Sequence, residues 1–181
     1  MIKGKRVYLR LFEIKDASKR AEWMNDPELR EMLNSPYPVS EYSTKEWVKK
    51  MTLDPSRIDF AICMIETDKL IGYTGFRDID LTNNKAESYT GIGEKKHWEK
   101  GFAQESKKIA LDYIFSRYNL NKVYAKIRKG HLASIKLNRS LGYTIDGTMR
   151  QDLFSHGKYR DMVIMSILRE EFASLKNGEN E

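Results

Sequence analysis

Residues 98–103 and the helix that follows them have the composition of an anion-binding site. The loop reads Trp-Glu-Lys-Gly-Phe-Ala, with Gly101 where a backbone can approach a ligand closely and Lys100 beside it as a cation. The start of a helix leaves several backbone N–H groups without intrahelical partners, at the positive end of the helix dipole. The loop can therefore hold a phosphate-like group. An ordinary helix start with a surface lysine is the alternative.

The segment just before this loop carries a carboxylate and two glycines. Residues 86–93 have the pattern of a strand, and Gly91-Ile92-Gly93 at its end favours a bulge or a kinked strand end. Glu87 lies near the start of the strand. A carboxylate can accept a proton from a reacting group. The alternative for Glu87 is an exposed rim carboxylate or a salt-bridge partner.

A second polar segment, His-Leu-Ala-Ser-Ile-Lys-Leu-Asn-Arg-Ser-Leu-Gly-Tyr, occupies residues 131–143. Its pattern predicts a helix over 134–141 that ends at Gly142 in a left-handed conformation. Ser134 and Asn138 lie on this helix and can donate hydrogen bonds from it. For Ser134, capping of the helix is the alternative role.

The remaining nucleophilic and metal-binding residue types are sparse. His97 and His156 have no companion ligands at the spacing of a metal site, so we expect no metal. His156 lies in a loop that could line a binding site, and a solvated loop histidine is the alternative. Cys63 lies in an apolar run without an arranged histidine, so we expect a small buried apolar group and not a catalytic thiol.

Composition restricts the class of protein. The 181 residues are enough for one domain with a core, and 40% apolar with 32% charged residues excludes wholesale disorder. No apolar run reaches the roughly 18–20 residues of a membrane span, and no apolar stretch of a secretory signal follows the basic N-terminus. A single cysteine cannot form an internal disulfide. These features predict a cytoplasmic protein with no membrane partner.

The charge balance points to an anionic partner. Thirty-two basic and 26 acidic residues give a net charge of +6. Nucleic acid and a phosphorylated cofactor are both compatible with this charge. The basic residues are interleaved with acids along most of the chain, so we do not expect a dedicated nucleic-acid face.

Strand and helix patterns alternate along the chain in an order typical of an α+β fold with a mixed, mostly antiparallel sheet. We expect one domain over residues 1–175 and a polar tail over 176–181. Helices are predicted from Asp16, over 28–33, from a cap at Ser43 or Thr44, after the loop, and over 134–141. Strands are predicted at 5–12, 59–65, 70–79, 86–93, 122–128, 143–149 and 159–168.

The loop and the 131–143 segment together resemble the GCN5-related N-acetyltransferase (GNAT) superfamily, in particular its RimJ/RimL-like branch of ribosomal-protein-alanine and polyamine N-acetyltransferases. Gly101 and Ala103 match the family pattern Q/R-x-x-G-x-G/A, with Trp98 in place of the first Gln or Arg. The second segment resembles N-x-x-S-x-x-L-Y-x-x-x-G-F, with His131 and Asn138 in place of the Asn and the Tyr. The segments at 7–10, 23–28 and 157–162 also resemble that branch, so the likeness covers about the whole chain.

The resemblance implies a GNAT fold, in which a twisted sheet with a splayed strand pair has helices on both faces. It also implies transfer of an acetyl group from acetyl-CoA to a primary amine, by direct attack on the thioester in a ternary complex. Glu87 would be the base and Ser134 would stabilise the leaving thiolate. The residues that would hold the cofactor are Gly91, Ile92, Gly93, Trp98, Glu99, Lys100, Gly101, Phe102, Ala103, Gln104, His131, Ser134 and Asn138.

The acceptor could be a small-molecule amine or a protein N-terminus, and a homodimer is compatible with the family. Polyamines, amino sugars and aminoglycosides are all acceptors that suit the branch. A polyamine site would require several carboxylates, which Asp26, Glu28, Glu31 and Glu41 could supply. The residues expected around the acceptor are Trp23, Asn25, Tyr37, Tyr42, Glu87 and Tyr159.

Two other functions compete with the enzyme. The departures at His131 and Asn138 suit a non-catalytic acetyl-CoA-binding regulator on the same fold. The positive charge suits a basic nucleic-acid-binding module.

Overall fold

Eight strands and six α-helices make up the part of the chain that the computed structural model describes, residues 1–32 and 38–178. The helices are α1 (Ala17–Asn25), α2 (Pro27–Met32), α3 (Glu41–Thr52), α4 (Phe102–Arg117), α5 (Leu132–Ser140) and α6 (Arg169–Gly178). The strands are β1 (Ile2–Lys3), β2 (Val7–Leu11), β3 (Ile58–Met64), β4 (Leu70–Asp80), β5 (Lys85–Ile92), β6 (Lys122–Arg128), β7 (Thr144–Ser155) and β8 (Lys158–Leu168). Short 3₁₀ turns lie at Ile14–Asp16 and Lys95–His97.

The strands form one mixed sheet in the order β1-β2-β3-β4-β5-β6-β8-β7. Strands β5 and β6 run parallel, and their register joins Lys85–Glu87 to Lys122–Tyr124. The pairs β1–β2, β2–β3, β3–β4, β6–β8 and β7–β8 are antiparallel. The α+β class with a mixed, mostly antiparallel sheet is therefore confirmed.

Two local expectations are corrected. The cap of α3 is Ser40, whose hydroxyl accepts from the N–H of Ser43 at 2.9 Å, so the cap lies earlier than Ser43 or Thr44. Strand β7 continues through the segment expected to be a loop, because Leu153–Ser155 pair with β8 after a bulge. Helix α6 ends at Gly178, three residues after the predicted end of the domain at residue 175.

Helix α5 begins earlier than predicted and ends where predicted. Its N-cap is His131, without a side-chain capping bond, and Ser134 lies inside the first turn. Ser134 is therefore not the capping residue. Gly142 has a φ of +86°, and its N–H donates to Arg139 O at 3.0 Å. The left-handed stop at Gly142 is thus confirmed.

Contacts divide the chain into two compact units. The first unit comprises Met1–Arg77 and Tyr89–Ala110, and the second comprises Asp78–Ser88 and Leu111–Glu181. In the first, α1 and α3 pack on each other, and α3 packs on β3. The buried cluster of the first unit is Phe12, Ala17, Trp23, Leu29, Val48, Met51, Ala61, Cys63 and Tyr73.

In the second unit, α6 packs against β8 and against the end of α4. The rings of Phe115 and Phe172 lie 5.4 Å apart. The Arg169 guanidinium donates to the carbonyls of Phe115, Tyr118 and Leu120 at 2.6–2.7 Å. These bonds satisfy carbonyls at and after the end of α4, which have no intrahelical donors.

Candidate active site

The loop before α4 has the backbone geometry that an anion site requires. Gly101 has a φ of +79° and Glu99 a φ of +58°, so the chain is left-handed at both positions. The N–H of Glu105 donates to Gly101 O at 3.0 Å and makes the first bond of the helix. The N–H groups of residues 102–104 precede that bond and are therefore available to a ligand. A Cβ at Gly101 would lie 3.2 Å from Nη2 of Arg6.

Arg6 and Glu105 hold this loop against the start of β2. Arg6 Nη1 donates to the carbonyl of Lys100 at 2.9 Å, and Nε donates to Glu105 at 2.8 Å. Glu105 also accepts from the N–H groups of Arg6 and Val7, at 2.6 and 3.2 Å. Burial raises the pKa of Glu105, but the bonds from Arg6 and Val7 outweigh it and leave the pKa below its usual value. Glu105 is therefore an ionised anchor at neutral pH.

The end of β5 is fixed by contacts with the loop and with α1. Trp98 Nε1 donates to Ile92 O at 2.8 Å, so the residue that departs from the family pattern joins the loop to the strand. The N–H of Gly93 donates to Ile71 O at 2.9 Å. A Cβ at Gly93 would overlap the indole ring of Trp23. This close approach accounts for the glycine.

Glu87 lies in the second unit and is buried. Its exposed fraction is 3%, so the carboxylate is not on an exposed rim. It stands opposite Tyr124 in the parallel pair. The adjacent Ser88 hydroxyl donates to Tyr124 O at 3.1 Å and lies 3.0 Å from the hydroxyl of Tyr143. Burial raises the pKa of Tyr143, so this buried polar pair is uncharged at neutral pH.

The α5 candidates also lie in the second unit, and two of them are joined to each other. Asn138 is buried, and its Nδ2 donates to Ser134 O at 2.8 Å. Ser134 itself is half-buried. Burial lowers the pKa of His131, and the charge of Arg128 lowers it further, so the imidazole is neutral at pH 7.

The residues expected around the acceptor have different environments. Trp23 is buried in the core of the first unit, and Asn25 bonds through its amide to both backbone groups of Val39, at 2.7 and 2.9 Å. Tyr42 on α3 is 75% exposed. Tyr159 in the second unit is 67% exposed, with its ring 5.1 Å from that of Phe154. Tyr37 and the side chain of Glu31 lie outside the described residues.

Three of the four carboxylates suggested for a polyamine site, Asp26, Glu28 and Glu41, are paired with lysines. Lys95 Nζ lies 2.8 Å from both Asp26 and Glu28, and it lowers the pKa of Asp26. Glu41 pairs with Lys45 at 2.6 Å. A polycation binding here would have to displace these lysines.

The other candidates behave as packing or surface groups. Cys63 is 1% exposed, and burial raises the pKa of its thiol, as expected for a small buried apolar residue. The His97 ring packs edge-on against Phe102 at 5.3 Å, whereas His156 is exposed at the β7–β8 turn. Residues 1–32 and 38–178 contain no group of three or more side chains that could hold a metal ion. None of the described helices is long and apolar enough to cross a membrane.

Sequence reasoning missed Arg6, Glu105 and Ser88. Arg6 and Glu105 are 99 positions apart, so no spacing within a helix or strand could reveal their pairing. The signal that could have indicated Glu105 is its place in the first turn of α4, where a carboxylate suits the helix dipole. Ser88 carries no such signal, because a serine in a strand has no spacing that indicates its partners.

Comparison with known proteins identifies the family. Residues 6–144 match the acetyltransferase (GNAT) domain family. An uncharacterized N-acetyltransferase of Bacillus licheniformis, p20, is 33% identical over 172 residues, which cover 93% of this chain and 96% of p20. The spermidine N(1)-acetyltransferase of Escherichia coli K12 is 33% identical over 95 residues, which cover 52% of this chain and 50% of that enzyme.

The fold also agrees with solved structures. A crystal structure of spermidine N-acetyltransferase from Vibrio cholerae, in complex with CoA and spermine, superposes with a TM-score of 0.86 at 24% identity, covering 93% of this chain and 98% of that one. The likeness shows the fold, and the family match covers most of the chain. The chain therefore belongs to the GNAT acetyltransferase family and is an N-acetyltransferase that uses acetyl-CoA as co-substrate.

Proposed function

We propose that the protein is a RimJ/RimL-like acetyltransferase that acetylates a primary amine, by direct attack of the amine on the thioester of bound acetyl-CoA. The observation that carries this proposal is the loop at residues 98–104, with its left-handed Gly101 at the start of α4. The resemblance of residues 131–143 to the second family motif supports the same branch. The acceptor is a small molecule or a protein N-terminus.

The loop would hold the pyrophosphate of acetyl-CoA. The N–H groups of Phe102, Ala103 and Gln104 precede the first helical bond, and the dipole of α4 favours negative charge at that end. Lys100 is exposed beside them and would add a point charge. Arg6 donates a hydrogen bond to the carbonyl of Lys100. The oxygen of that carbonyl therefore points toward Arg6 and would not repel the pyrophosphate.

Within the end of β5, we assign the contact with the pantetheine arm to Ile92. The N–H and C=O of successive strand residues point to opposite sides. Gly93 donates to Ile71 of β4, so the backbone groups of Ile92 point away from β4. The Ile92 carbonyl accepts from Trp98, which leaves the N–H of Ile92 to bond the cofactor. Gly91 and Gly93 would contribute by having no side chain, since a Cβ at either position would meet the ring of Tyr73 or of Trp23.

Two residues of the second unit would carry the chemistry. Glu87 would take a proton from the acceptor ammonium, directly or through water, and the neutral amine would form the C–N bond to the thioester carbonyl carbon. The nitrogen of the tetrahedral intermediate would lose its second proton to solvent, and the C–S bond would break as the oxyanion collapses to the amide. Ser134 would stabilise the departing CoA thiolate by hydrogen bonding. Asn138 is no useful acid, so the thiolate would be protonated by solvent.

A mass-spectrometric screen tests the proposal. The protein is incubated with acetyl-CoA and a pool of amines that contains spermidine, the substrate named for two relatives, together with amino sugars, amino acids and N-terminal peptides. We expect one class of amine to be acetylated, with an equal amount of CoA released. Tight binding of CoA with no turnover of any amine would contradict the proposal.

A further inference from the structure

A guanidinium in the first unit lies in an aromatic slot that has no assigned role. Arg20 of α1 is half-buried. Its Cζ lies 4.3 Å from the ring centroid of Trp47 on α3 and 4.5 Å from that of Tyr73 on β4. Stacking on a ring covers a face of the guanidinium and leaves its in-plane N–H groups able to donate hydrogen bonds, one of them to the hydroxyl of Tyr73.

The neighbours of Arg20 do not neutralise its charge. Burial raises the pKa of Tyr73, although Arg20 opposes the shift, so the phenol stays protonated at neutral pH. Trp47 also contacts Arg57 at 5.2 Å, but Arg57 has its own carboxylate, Asp59, with two bonds of 2.8 Å. Among the side chains that the structure describes, which do not include that of Glu31, Arg20 forms no ion pair with a carboxylate. Of the two guanidiniums beside Trp47, that of Arg57 is paired with a carboxylate, and that of Arg20 has no such partner among the described side chains.

The slot adjoins the strand end proposed above for the cofactor arm. The Tyr73 ring would lie 3.1 Å from a Cβ placed on Gly91, and it packs at 6.3 Å from Trp23 and 6.2 Å from Tyr89. An acceptor amine that approaches the thioester beside Gly91 would therefore have Tyr73 and Arg20 within the length of a small molecule. This placement of the acceptor rests on the proposed function, in which the end of β5 binds the cofactor arm.

We propose that Arg20 is a specificity-determining residue that binds a carboxylate on the acceptor, so that the enzyme selects amines of the amino-acid type. A carboxylate accepts two parallel bonds from the edge of a guanidinium, which gives both affinity and orientation. A polyamine would instead place a positive charge beside Arg20 without a described carboxylate to compensate, because Asp26, Glu28 and Glu41 are paired with Lys95 and Lys45. The proposed class is therefore distinct from the polyamines that the names of relatives suggest.

Matched pairs of acceptors test this inference. Lysine is compared with cadaverine, ornithine with putrescine, and tyrosine with tyramine, since each pair differs by one carboxylate. We expect kcat/KM to favour the acid in at least one pair by about tenfold, the worth of a hydrogen-bonded charged contact. In Arg20→Gln this preference should disappear through a higher KM for the acid, with the KM for acetyl-CoA unchanged.

Two further variants separate specificity from folding. Arg20→Lys keeps a cation but loses the planar edge, and it should retain part of the preference. Lys50→Gln removes one exposed positive charge from α3 and should behave as wild type. Thermal unfolding of each variant shows whether it is folded.

Binding of the same pairs to the CoA-loaded protein, measured by calorimetry, gives a result that does not need turnover. Tighter binding of an acid than of its decarboxylated partner, lost in Arg20→Gln, would support the role of Arg20 even if no amine were acetylated, in which case the proposed function alone would fail. Equal binding of acid and partner in every pair, or an unchanged preference in Arg20→Gln, would overturn the inference.

Discussion

Glu87 is a buried carboxylate on a strand that also supplies the proposed contact with the cofactor arm. Replacing it with Gln keeps its size and polarity but removes its ability to accept a proton. We expect kcat of Glu87→Gln to fall by about 10²–10³, because a positioned base contributes that much to a proton transfer. The acid side of the pH–rate profile should flatten, and the Kd for CoA should stay unchanged.

Steady-state kinetics across pH and calorimetry with CoA check this prediction. Glu66→Gln, in the exposed β3–β4 turn, is the matched control and should leave both measurements unaltered. A pH–rate profile that is the same in Glu87→Gln and wild type would remove Glu87 as the base.

Arg6 acts on the cofactor loop through the carbonyl of Lys100 and through Glu105. In Arg6→Ala the loop loses both restraints, so we expect the Kd for CoA to rise by about tenfold, as for the loss of a charged hydrogen bond. The KM for acetyl-CoA should rise with it while kcat changes little. Lys5→Ala removes the neighbouring exposed charge and should leave the Kd near that of wild type.

The residue scale is also where the sequence predicts least. Gly101 is predictable because its signal is local, a glycine before a helix. The partners of the loop, Arg6 and Glu105, and the slot around Arg20 are not predictable, because each joins residues from different elements. Such contacts depend on how strands and helices pack, and spacing along the chain carries no record of them.

At the scale of elements, the loop and α4 work together through the left-handed Gly101. A valine there meets the penalty of φ +79° and places its Cβ 3.2 Å from Arg6. We expect Gly101→Val to lower the free energy of unfolding by only about 1–2 kcal/mol, the cost of forcing a branched residue into that region. The Kd for CoA should rise by much more than tenfold, because the N–H groups behind Gly101 would be redirected.

The chain provides a matched control for this variant. Gly157 at the β7–β8 turn has a φ of +72°, and a Cβ added there would have no atom within 4 Å, so Gly157→Val has the same backbone cost without the loop. Chemical unfolding and calorimetry should show similar stability for the two variants and weakened CoA binding for Gly101→Val alone. Equal CoA affinity in both would contradict the assignment of the loop.

Element prediction from the sequence succeeded where an apolar face was continuous and failed where exposure was high. The β3–β4 hairpin and β6 have regular buried faces, and their bounds were predicted within one residue. Strand β7 is exposed along most of its length, so the sequence showed only its first half. Helix α6, which buries only Phe172 among its described residues, was not predicted from the sequence.

On the scale of the whole molecule, the net charge of +6 should assist the capture of an anionic cofactor. Salt screens such attraction between separated charges. We therefore expect kcat/KM for acetyl-CoA to fall steadily as sodium chloride is raised, while kcat at saturation stays nearly constant. Initial rates over a salt series check this. An unchanged kcat/KM would show that the net charge does not contribute to capture.

The single cysteine has a practical consequence for all of these measurements. Cys63 is 1% exposed and its thiol has a raised pKa, so it should not react with an aromatic disulfide reagent while the protein is folded. The colour released in such an assay then measures only the thiol of the CoA product. The background absorbance does not increase with enzyme concentration. When the same reagent is added without substrate, the rate of colour release measures unfolding of the first unit. One equivalent is released only when the core around Cys63 opens.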